Sequence, residues 1–406
     1  MERLLHRSII IGTILSGAFQ DTIMPSLGET TAMLARLRHV SPVNVQGPGR
    51  MARTQAFGPN PGRLMMLSYG PEPLAPRSPL VVVLHGCAQT AEAYAENAGW
   101  LALADRFGFM VLAPEQAPAN NPNRCFNWFS PGDVQRDEGE AASIASMVSH
   151  LVAAHDLDGE RVFITGLSAG GAMTAAMLAA YPDLFAGGAV IAGLPYGVAR
   201  NVQDALCVMS RPDGRAAKVL GALIPKRHDI GAPPRLSIWH GDADFTVHAG
   251  NAHDLAQQWS AAHDLPSTPH RVEPQPFGTR SIWRSAAGEA VIEMNIVRGL
   301  GHGTPLSTRA AGDVGKVAPY MLEAGVSSSL EIAKFWKIDA ERPGTIDECA
   351  AASVRESLDA EPARTAAPDR AEGASLGRNV MRAIGHVPAG VQDTIAKALR
   401  AAGLMK

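Results

Sequence analysis

Residues 161–181 decide the fold and read Arg161-Val-Phe-Ile-Thr-Gly-Leu-Ser-Ala-Gly-Gly-Ala-Met-Thr-Ala-Ala-Met-Leu-Ala-Ala-Tyr181. The apolar segment Arg161–Thr165 predicts a buried strand, and the Ala- and Met-rich segment Ser168–Tyr181 predicts a helix. Between them, Gly166-Leu-Ser-Ala-Gly170 predicts a tight turn in which the two glycines remove Cβ atoms that would clash with neighbouring elements. A strand that turns directly into a helix is the repeating unit of α/β folds.

The same alternation of strand and helix extends on both sides of this turn. The continuous apolar runs Leu80–Leu84 and Phe109–Ala113 predict strands that are buried on both faces of a parallel sheet. The other predicted strands cover 63–69, 189–192, 235–239 and 290–297, and the other predicted helices cover 91–107, 139–155 and 327–336. This order predicts an α/β fold with a doubly wound, mostly parallel sheet, helices on both faces and right-handed crossovers.

The composition excludes several classes of protein. With 46% hydrophobic and 18% charged residues among 406, the chain can form a large core and is not mainly disordered. Its 36 Lys and Arg against 39 Asp and Glu give a net charge of -3, which indicates no nucleic-acid partner. The sequence contains no run of about 18 apolar residues, so it predicts no integral membrane segment. The 4 cysteines are too few for a disulfide-framed fold, and none has the C-x-x-C spacing of a zinc site. The sequence indicates no oligomeric state.

Ser168 is the candidate nucleophile. The pentapeptide matches G-x-S-x-G and lies between a strand and a helix, which is the context that this motif requires. Such a turn presents the hydroxyl above the sheet, close to the backbone N–H groups at the N-terminus of the helix. The alternative is a glycine-rich turn with a serine that has no role.

A serine nucleophile needs a base, and the base needs an orienting carboxylate. Asp242 and Asp244 both follow the strand over 235–239. We favour Asp244 and interpret Asp242 as a turn residue that bonds its own backbone. His302 is the candidate base because it lies in a glycine-rich loop, 299–303, directly after the strand over 290–297. The histidines that precede this strand have no comparable loop.

The segment Leu84-His85-Gly86-Cys87 ends the first buried strand and is the candidate oxyanion loop. We expect the backbone N–H groups of Cys87 and Ala169 to form the oxyanion hole. His85 is expected to brace this loop rather than to act as a base. Chemistry of this kind needs no metal and no organic cofactor.

With these residues identified, the chain resembles the poly(3-hydroxybutyrate) depolymerase family of α/β-hydrolase esterases over about residues 63–338. The matching stretches are His85-Gly-Cys-Ala-Gln89, Pro114-Glu-Gln116, Cys125-Phe-Asn-Trp-Phe129, Gly166-Leu-Ser-Ala-Gly-Gly-Ala172, His240-Gly-Asp-Ala-Asp244 and Gly301-His-Gly303. The resemblance implies Ser168, Asp244 and His302 as the catalytic triad, in the same roles as above.

The resemblance also implies that Cys87 and Cys125 form a disulfide beside the active site, and that Trp128 lines the acyl cleft. For Trp128 the alternative is a buried core aromatic residue. A disulfide favours an extracellular or periplasmic location, whereas a cytoplasmic protein would hold free thiols. Cys207 and Cys349 could form a second bridge.

The implied activity is hydrolysis of poly(3-hydroxybutyrate) or of short-chain hydroxyalkanoate oligomers through an acyl-enzyme. The chain departs from the family in two ways. Gly303-Thr-Pro-Leu306 follows the histidine where some members have an aromatic residue, which alters the expected fit of the substrate. No separate polymer-binding module is evident, which favours soluble oligomers and short-chain esters over solid polymer. The alternatives are a feruloyl or acetyl-xylan type of esterase and, in another class, a catalytically silent binding protein of the same fold.

The sequence divides into three regions. We expect an N-terminal extension over 1–60, the α/β-hydrolase catalytic domain over 61–338, and an Ala-rich linker with C-terminal amphipathic helices over 339–406. The extension begins with the outline of a weak secretory signal and continues with a short helix over 26–40 and a Pro/Gly-rich linker. The alternative for its first residues is an amphipathic or disordered extension with Met24 as the true start.

Overall fold

A 10-stranded sheet lies at the centre of the described part of the chain. The computed structural model describes residues 49–226, 232–310 and 312–341, all within the first of the two units into which the chain divides after Arg342. The strands of the sheet are β1 (Ala52–Thr54), β2 (Met65–Tyr69), β3 (Leu80–Leu84), β4 (Met110–Glu115), β5 (Val162–Leu167), β6 (Gly187–Ile191), β7 (Arg235–Gly241), β8 (Arg271–Gln275), β9 (Gly278–Arg284) and β10 (Ala290–Val297). A separate two-stranded sheet pairs β11 (Thr304–Leu306) with β12 (Met321–Glu323).

The strand order is β1-β2-β4-β3-β5-β6-β7-β10-β9-β8. The strands from β4 to β10 in this order are parallel, and antiparallel pairs extend the sheet at each edge. The predicted α/β fold with a doubly wound, mostly parallel sheet is therefore confirmed. The carboxyl ends of the parallel strands meet at one edge, where ligands bind in folds of this class.

Helices cover both faces of the sheet. In β3 the side chains of Leu80, Val82 and Leu84 belong to one core cluster, and those of Val81 and Val83 to the other. Successive strand residues point to opposite faces, so a strand between two helical layers must be apolar throughout. The helices are α1 (Ala91–Asn97), α2 (Trp100–Phe107), α3 (Pro131–Val134), α4 (Gly139–Ala154), α5 (Ala169–Ala180), α6 (Val202–Ser210), α7 (Ala217–Gly221), α8 (Gly250–Ala262) and α9 (Ser328–Trp336).

The single helix predicted over 91–107 is wrong, because the structure has α1 and α2 separated at Gly99. Gly99 has φ of 86°, and a Cβ there would lie 2.8 Å from Cγ2 of Val314. The chain therefore turns at the position where only glycine fits against the loop that carries Val314. A left-handed residue ends a helix, and apolar periodicity does not report it.

Three strand assignments also need correction. Ala52–Thr54, placed by the sequence in the linker, forms β1 and pairs with β2, so the ordered sheet begins before residue 61. The strand over 290–297 is the last of the large sheet, but β11 and β12 follow it. The sequence also misses β8 and β9, because β8 is mostly exposed and contains Pro274, so it lacks the apolar run of a buried strand.

Several expectations concern residues outside the described part of the chain. These are the signal segment, the alternative start at Met24, the helix over 26–40 and almost all of the region over 339–406 with its C-terminal helices. Among the described residues, no helix has the length and apolarity needed to cross a membrane.

Candidate active site

Ser168 lies at the carboxyl edge of the parallel sheet, between β5 and α5. Its backbone has φ of 57° and ψ of -116°, a conformation that is strained for any residue with a side chain. A Cβ on Gly166 would lie 2.4 Å from the carbonyl oxygen of Gly170, and one on Gly170 would lie 2.3 Å from that of Leu84. Both glycines are therefore required by close backbone contacts, and the turn holds the half-buried Ser168 side chain at the surface of a cleft.

His302 and Asp244 form a hydrogen-bonded pair at the same edge. Nδ1 of His302 lies 2.7 Å from Oδ2 of Asp244, which leaves Nε2 as the free nitrogen of the imidazole. His302 and Ser168 line the same cleft. The structure thus brings together three residues that lie far apart in the sequence, at the ends of β5, β7 and β10.

The two carboxylates after β7 have different surroundings. Asp244 is buried, and its Oδ1 accepts hydrogen bonds from the backbone N–H groups of Thr246 at 2.8 Å and Val247 at 2.9 Å. Asp242 is exposed, and its Oδ1 accepts from the N–H of Gly299 at 2.6 Å. Asp242 does not bond its own backbone as we expected, but fastens the start of the loop that carries His302.

A second imidazole contacts the buried carboxylate. Nε2 of His240 lies 3.3 Å from Oδ2 of Asp244 and 2.8 Å from the carbonyl oxygen of Val247. Burial by itself raises the pKa of Asp244, but the hydrogen bonds from His240, His302 and Val247 outweigh it and hold this pKa well below its ordinary value. Asp244 therefore stays ionised, as an orienting carboxylate must.

The candidate oxyanion loop is covalently fixed on the other side of the cleft. A disulfide joins Cys87 to Cys125, as the family resemblance implies, and the N–H of Ala88 donates to the carbonyl oxygen of Asn123 at 2.7 Å. Within the described part of the chain, the N–H groups of Cys87 and Ala169 have no protein acceptor. Both residues line the cleft together with Ser168.

His85 is fully buried beneath this loop. Its Nδ1 lies 2.8 Å from the carbonyl oxygen of Gly86, its Nε2 accepts from the N–H of Gln116 at 3.1 Å, and its ring contacts that of Phe126. Burial lowers the pKa of His85 to about 4, with a smaller contribution from Arg124 in the same direction. A neutral ring with both nitrogens bonded is a brace and not a base, in agreement with the expectation for His85.

Glu140, in the first turn of α4, is a buried acid that the sequence analysis did not select. Its carboxylate accepts from Nε2 of Gln116 at 2.5 Å, from Nδ2 of Asn127 at 2.7 Å and from the N–H of Asn127 at 2.9 Å. Burial raises the pKa of Glu140 to about 7, and Asp133 adds to this while the donors oppose it. No sequence signal identifies it, since an acid in the first turn of a helix is common.

The cleft has a volume of about 490 Å³. Trp128 lines it and is only 8% exposed, so this residue is both part of the core and part of the cleft wall. Among the described residues that line the cleft, His302 is the only one with a titratable basic side chain, and none is a lysine, arginine or carboxylate. The cleft therefore suits an uncharged, largely apolar ligand.

Other parts of the cleft wall were not predicted. Helix α6 contributes Val202, Leu206 and Met209, and the ring of Tyr320 packs edge-to-face on that of His302 at 6.0 Å between centroids. Phe245 lies at the mouth with 97% of its surface exposed. These residues come from segments whose position depends on tertiary packing, so local sequence patterns do not reveal them.

The two remaining cysteines do not form a described bridge. Cys207 in α6 is a half-buried free thiol, and Cys349 lies outside the described residues. No group of three or more metal-ligating side chains occurs among the described residues.

Comparison with known proteins identifies the family of this chain. A family model described as Esterase PHB depolymerase matches residues 65–265. Poly(3-hydroxyalkanoate) depolymerase C of Paucimonas lemoignei is 40% identical over 291 residues, which cover 71% of this chain and 70% of that protein. This chain belongs to the PHB depolymerase family of esterases. It is a carboxylic-ester hydrolase with an α/β-hydrolase fold, so the predicted family, fold class and enzyme class are confirmed.

Relatives named for another activity are also similar to this esterase. The acetylxylan esterase of Coprinopsis cinerea is 32% identical over 271 residues, covering 64% of this chain and 70% of that protein. The solved acetyl xylan esterase from Aspergillus awamori superposes with a TM-score of 0.60 at 23% identity, covering 71% of this chain and 100% of the other. At this identity the likeness shows the shared fold and not a shared substrate.

Proposed function

We propose that Ser168, His302 and Asp244 are the nucleophile, general base and orienting acid of this esterase. The observation that carries the proposal is the 2.7 Å contact between His302 and Asp244 beside the strained turn of Ser168, in one cleft. Because Asp244 holds Nδ1, Nε2 of His302 takes the proton from the Ser168 hydroxyl as Oγ attacks the ester carbonyl. The imidazolium then gives this proton to the leaving alcohol.

The backbone N–H groups of Cys87 and Ala169 bind the oxyanion of the tetrahedral intermediate. Each such donor typically stabilises the transition state by about 3–4 kcal/mol. Release of the alcohol leaves an acyl group on Ser168. His302 then takes a proton from water as the water attacks the acyl carbonyl, and returns it to Oγ of Ser168 as the acid leaves. The chemistry requires no cofactor.

We propose short-chain hydroxyalkanoate oligomers as substrates, with poly(3-hydroxybutyrate) itself as the polymeric form. The cleft wall, to which Trp128 and α6 contribute, has no carboxylate, lysine or arginine among its described residues. This supports a substrate with an uncharged, apolar acyl group. The exposed side chains of Val202 and Phe245 continue the apolar lining to the surface, which supports a chain that extends beyond the cleft. The name of the Paucimonas lemoignei relative agrees with this substrate class.

The second candidate is an acetyl-xylan or feruloyl type of esterase. It is favoured by the similarity to the acetylxylan esterase of Coprinopsis cinerea. Initial rates on hydroxybutyrate trimer, acetylated xylan and methyl ferulate, measured at equal enzyme concentration, separate the candidates. We expect the trimer to have the highest kcat/KM, and preference for acetylated xylan would establish the alternative.

The catalytic assignment is tested by Ser168→Ala. We expect loss of p-nitrophenyl butyrate hydrolysis with an unchanged circular dichroism spectrum, because only the hydroxyl is removed. Wild-type protein should react stoichiometrically with a fluorophosphonate probe. Full retention of turnover in the variant would refute the triad, and absence of both turnover and labelling in the wild type would favour the catalytically silent class.

We also propose an extracellular or periplasmic location and a catalytic domain that extends from β1 to about residue 338. The Cys87–Cys125 disulfide supports the location, because such bonds persist in oxidising compartments. Intact mass of the non-reduced protein from its native host reports both the disulfide and any removal of N-terminal residues. A full-length chain with free thiols at these positions would support the cytoplasmic alternative.

A further inference from the structure

A buried carboxylate, that of Glu140, is linked to the oxyanion loop although it is not among the residues that line the cleft. Glu140 is 1% exposed and accepts three hydrogen bonds, one from Gln116 and two from Asn127. The substrate cannot reach it, so it does not take part in proton transfer at Ser168. Its partners, however, lead to the oxyanion loop along two routes.

The first route passes through Gln116 and His85. Nε2 of Gln116 donates both to Glu140 at 2.5 Å and to the carbonyl oxygen of Cys125 at 3.1 Å. The backbone N–H of Gln116 donates to Nε2 of His85, whose Nδ1 then donates to the carbonyl oxygen of Gly86 at 2.8 Å. That carbonyl belongs to the same planar peptide unit as the N–H of Cys87. A hydrogen bond that fixes the carbonyl therefore fixes the direction of this N–H.

The second route passes through three asparagines. Asn127 donates to the same carboxylate through its backbone and its side chain, and its Oδ1 accepts from Nδ2 of Asn121 at 3.0 Å. Oδ1 of Asn121 accepts from the N–H of Asn123 at 3.0 Å, and the carbonyl oxygen of Asn123 accepts from the N–H of Ala88. The residues on both sides of Cys87 are thus linked to one carboxylate, independently of the disulfide.

From these contacts we infer that Glu140 is a positioning residue for the oxyanion hole, acting through Gln116 and Asn127. Its two oxygens meet three N–H donors, an arrangement that the ionised carboxylate satisfies fully and that the protonated acid, with its added O–H donor, does not. An oxyanion hole works through dipoles that are oriented before the reaction. A shift of the Cys87 N–H therefore reduces the stabilisation of the transition state more than it reduces the affinity for the substrate. The inference rests on the proposed triad and oxyanion hole.

The variant Glu140→Gln tests this inference, because the amide keeps the shape but presents an N–H₂ group to donors. At a pH above the pKa of Glu140, where its carboxylate is ionised, we expect kcat on p-nitrophenyl butyrate, per active site titrated with a fluorophosphonate, to fall about 10- to 100-fold. KM should change by less than about threefold, since the acyl cleft is retained. Complete but slower labelling of Ser168 would show that the nucleophile is intact, so a failed inference is distinguishable from a failed triad.

Glu293→Gln is the matched control. Glu293 in β10 is also buried, and its carboxylate accepts hydrogen bonds from Ser237 and Asn295 and lies 3.6 Å from Nε of Arg280. None of these described contacts leads to the oxyanion loop. We expect its kcat to stay within about threefold of wild type. A second variant, Gln116→Met, removes the side-chain donor of the first route and should lower kcat in the same way. It tests the inference if Glu140→Gln does not fold.

Two results would overturn the inference. One is an unchanged kcat in the folded variants at Glu140 and Gln116. The other is a fall of equal size in Glu293→Gln, which would show that loss of any buried carboxylate has this effect.

Discussion

The two walls of the cleft are held in different ways. On the oxyanion side, the loop of Cys87 is fixed by a disulfide and by buried hydrogen bonds that lead to Glu140. On the histidine side, the glycine-rich loop of His302 is fixed by two carboxylates, an exposed one at Asp242 and a buried one at Asp244. The first wall is cross-linked by a covalent bond. Among the described contacts, the second wall is held by these two carboxylates and by backbone hydrogen bonds such as that from the N–H of Ala243 to the carbonyl oxygen of Leu300 at 3.1 Å.

This difference matches the chemistry proposed for each wall. Oxyanion donors contribute by being fixed before charge develops, so every added constraint on Cys87 helps. The imidazole of His302 must accept a proton from one oxygen and deliver it to another, so it needs a defined orientation about Nδ1 rather than a rigid surrounding loop.

Loss of the buried carboxylate on the histidine side should have the largest effect. In Asp244→Asn, the amide can turn its N–H₂ group toward His302 and favour the wrong tautomer. We expect kcat on p-nitrophenyl butyrate to fall about 10⁴-fold. The matched variant Asp242→Asn keeps an acceptor for Gly299 and should remain close to wild type. Equal losses of kcat in the two variants would contradict the assignment of Asp244, rather than Asp242, as the acid.

Loss of the covalent link should destabilise the oxyanion side. The disulfide spans 38 residues, and replacing Cys87 and Cys125 together by serine should lower the free energy of unfolding by about 2–5 kcal/mol. Guanidinium denaturation measures this change. Cys207→Ser, which removes a free thiol, should shift it by less than about 1 kcal/mol. Equal stability of the double variant and wild type would show that hydrogen bonds alone hold the loop.

The pH dependence of stability should change when Glu140 is replaced. Its pKa is raised to about 7 in the folded protein, so between its ordinary value and pH 7 the folded state binds more protons than the unfolded state. Unfolding free energy must therefore fall as pH rises through this window, by up to about 3 kcal/mol from this group. The negative charge of Asp133 also raises the pKa of Glu140.

Glu140→Gln should lose this contribution to the pH dependence of the unfolding free energy. Its stability relative to wild type should therefore increase between pH 4.5, the ordinary pKa of the group, and pH 7. Urea titrations at intervals across this range measure the slope. Parallel curves for the two proteins would show that Glu140 titrates in the same range when folded and unfolded.

The smallest effect is expected for the exposed contact on the histidine side. Asp242→Ala removes the 2.6 Å acceptor of the Gly299 N–H, and we expect a loss of about 1 kcal/mol of stability and less than a tenfold fall in kcat/KM. Because the contact is exposed, high salt should weaken the difference between variant and wild type. A loss as large as that in Asp244→Asn would mean that the position of the loop, and not the buried carboxylate, sets the rate.

The sequence predicted the parallel part of the sheet and the proposed triad because each follows a local rule. A run such as Leu80–Leu84 has one structural solution, and the glycines around Ser168 are required by backbone contacts that any strand–turn–helix of this kind makes. His302 and Asp244 could be selected because each lies in a loop directly after a strand of the parallel sheet.

Residues that act through tertiary contacts could not be selected in this way. Tyr320 reaches His302 from a loop far downstream, and no periodicity marks it. Glu140 differs from an ordinary first-turn acid only in its buried partners, which lie in other segments. The strand Arg271–Gln275 was missed because an exposed edge strand needs no apolar run.

The most direct test of the central claim is a crystal structure of the esterase after reaction with a p-nitrophenyl alkylphosphonate, whose bound phosphonyl group imitates the tetrahedral intermediate. We expect phosphorus on Oγ of Ser168, with its oxygen about 2.7–3.1 Å from the backbone nitrogens of Cys87 and Ala169 and with Nε2 of His302 facing the adduct. An adduct on another residue, or an imidazole turned away from Ser168, would contradict it.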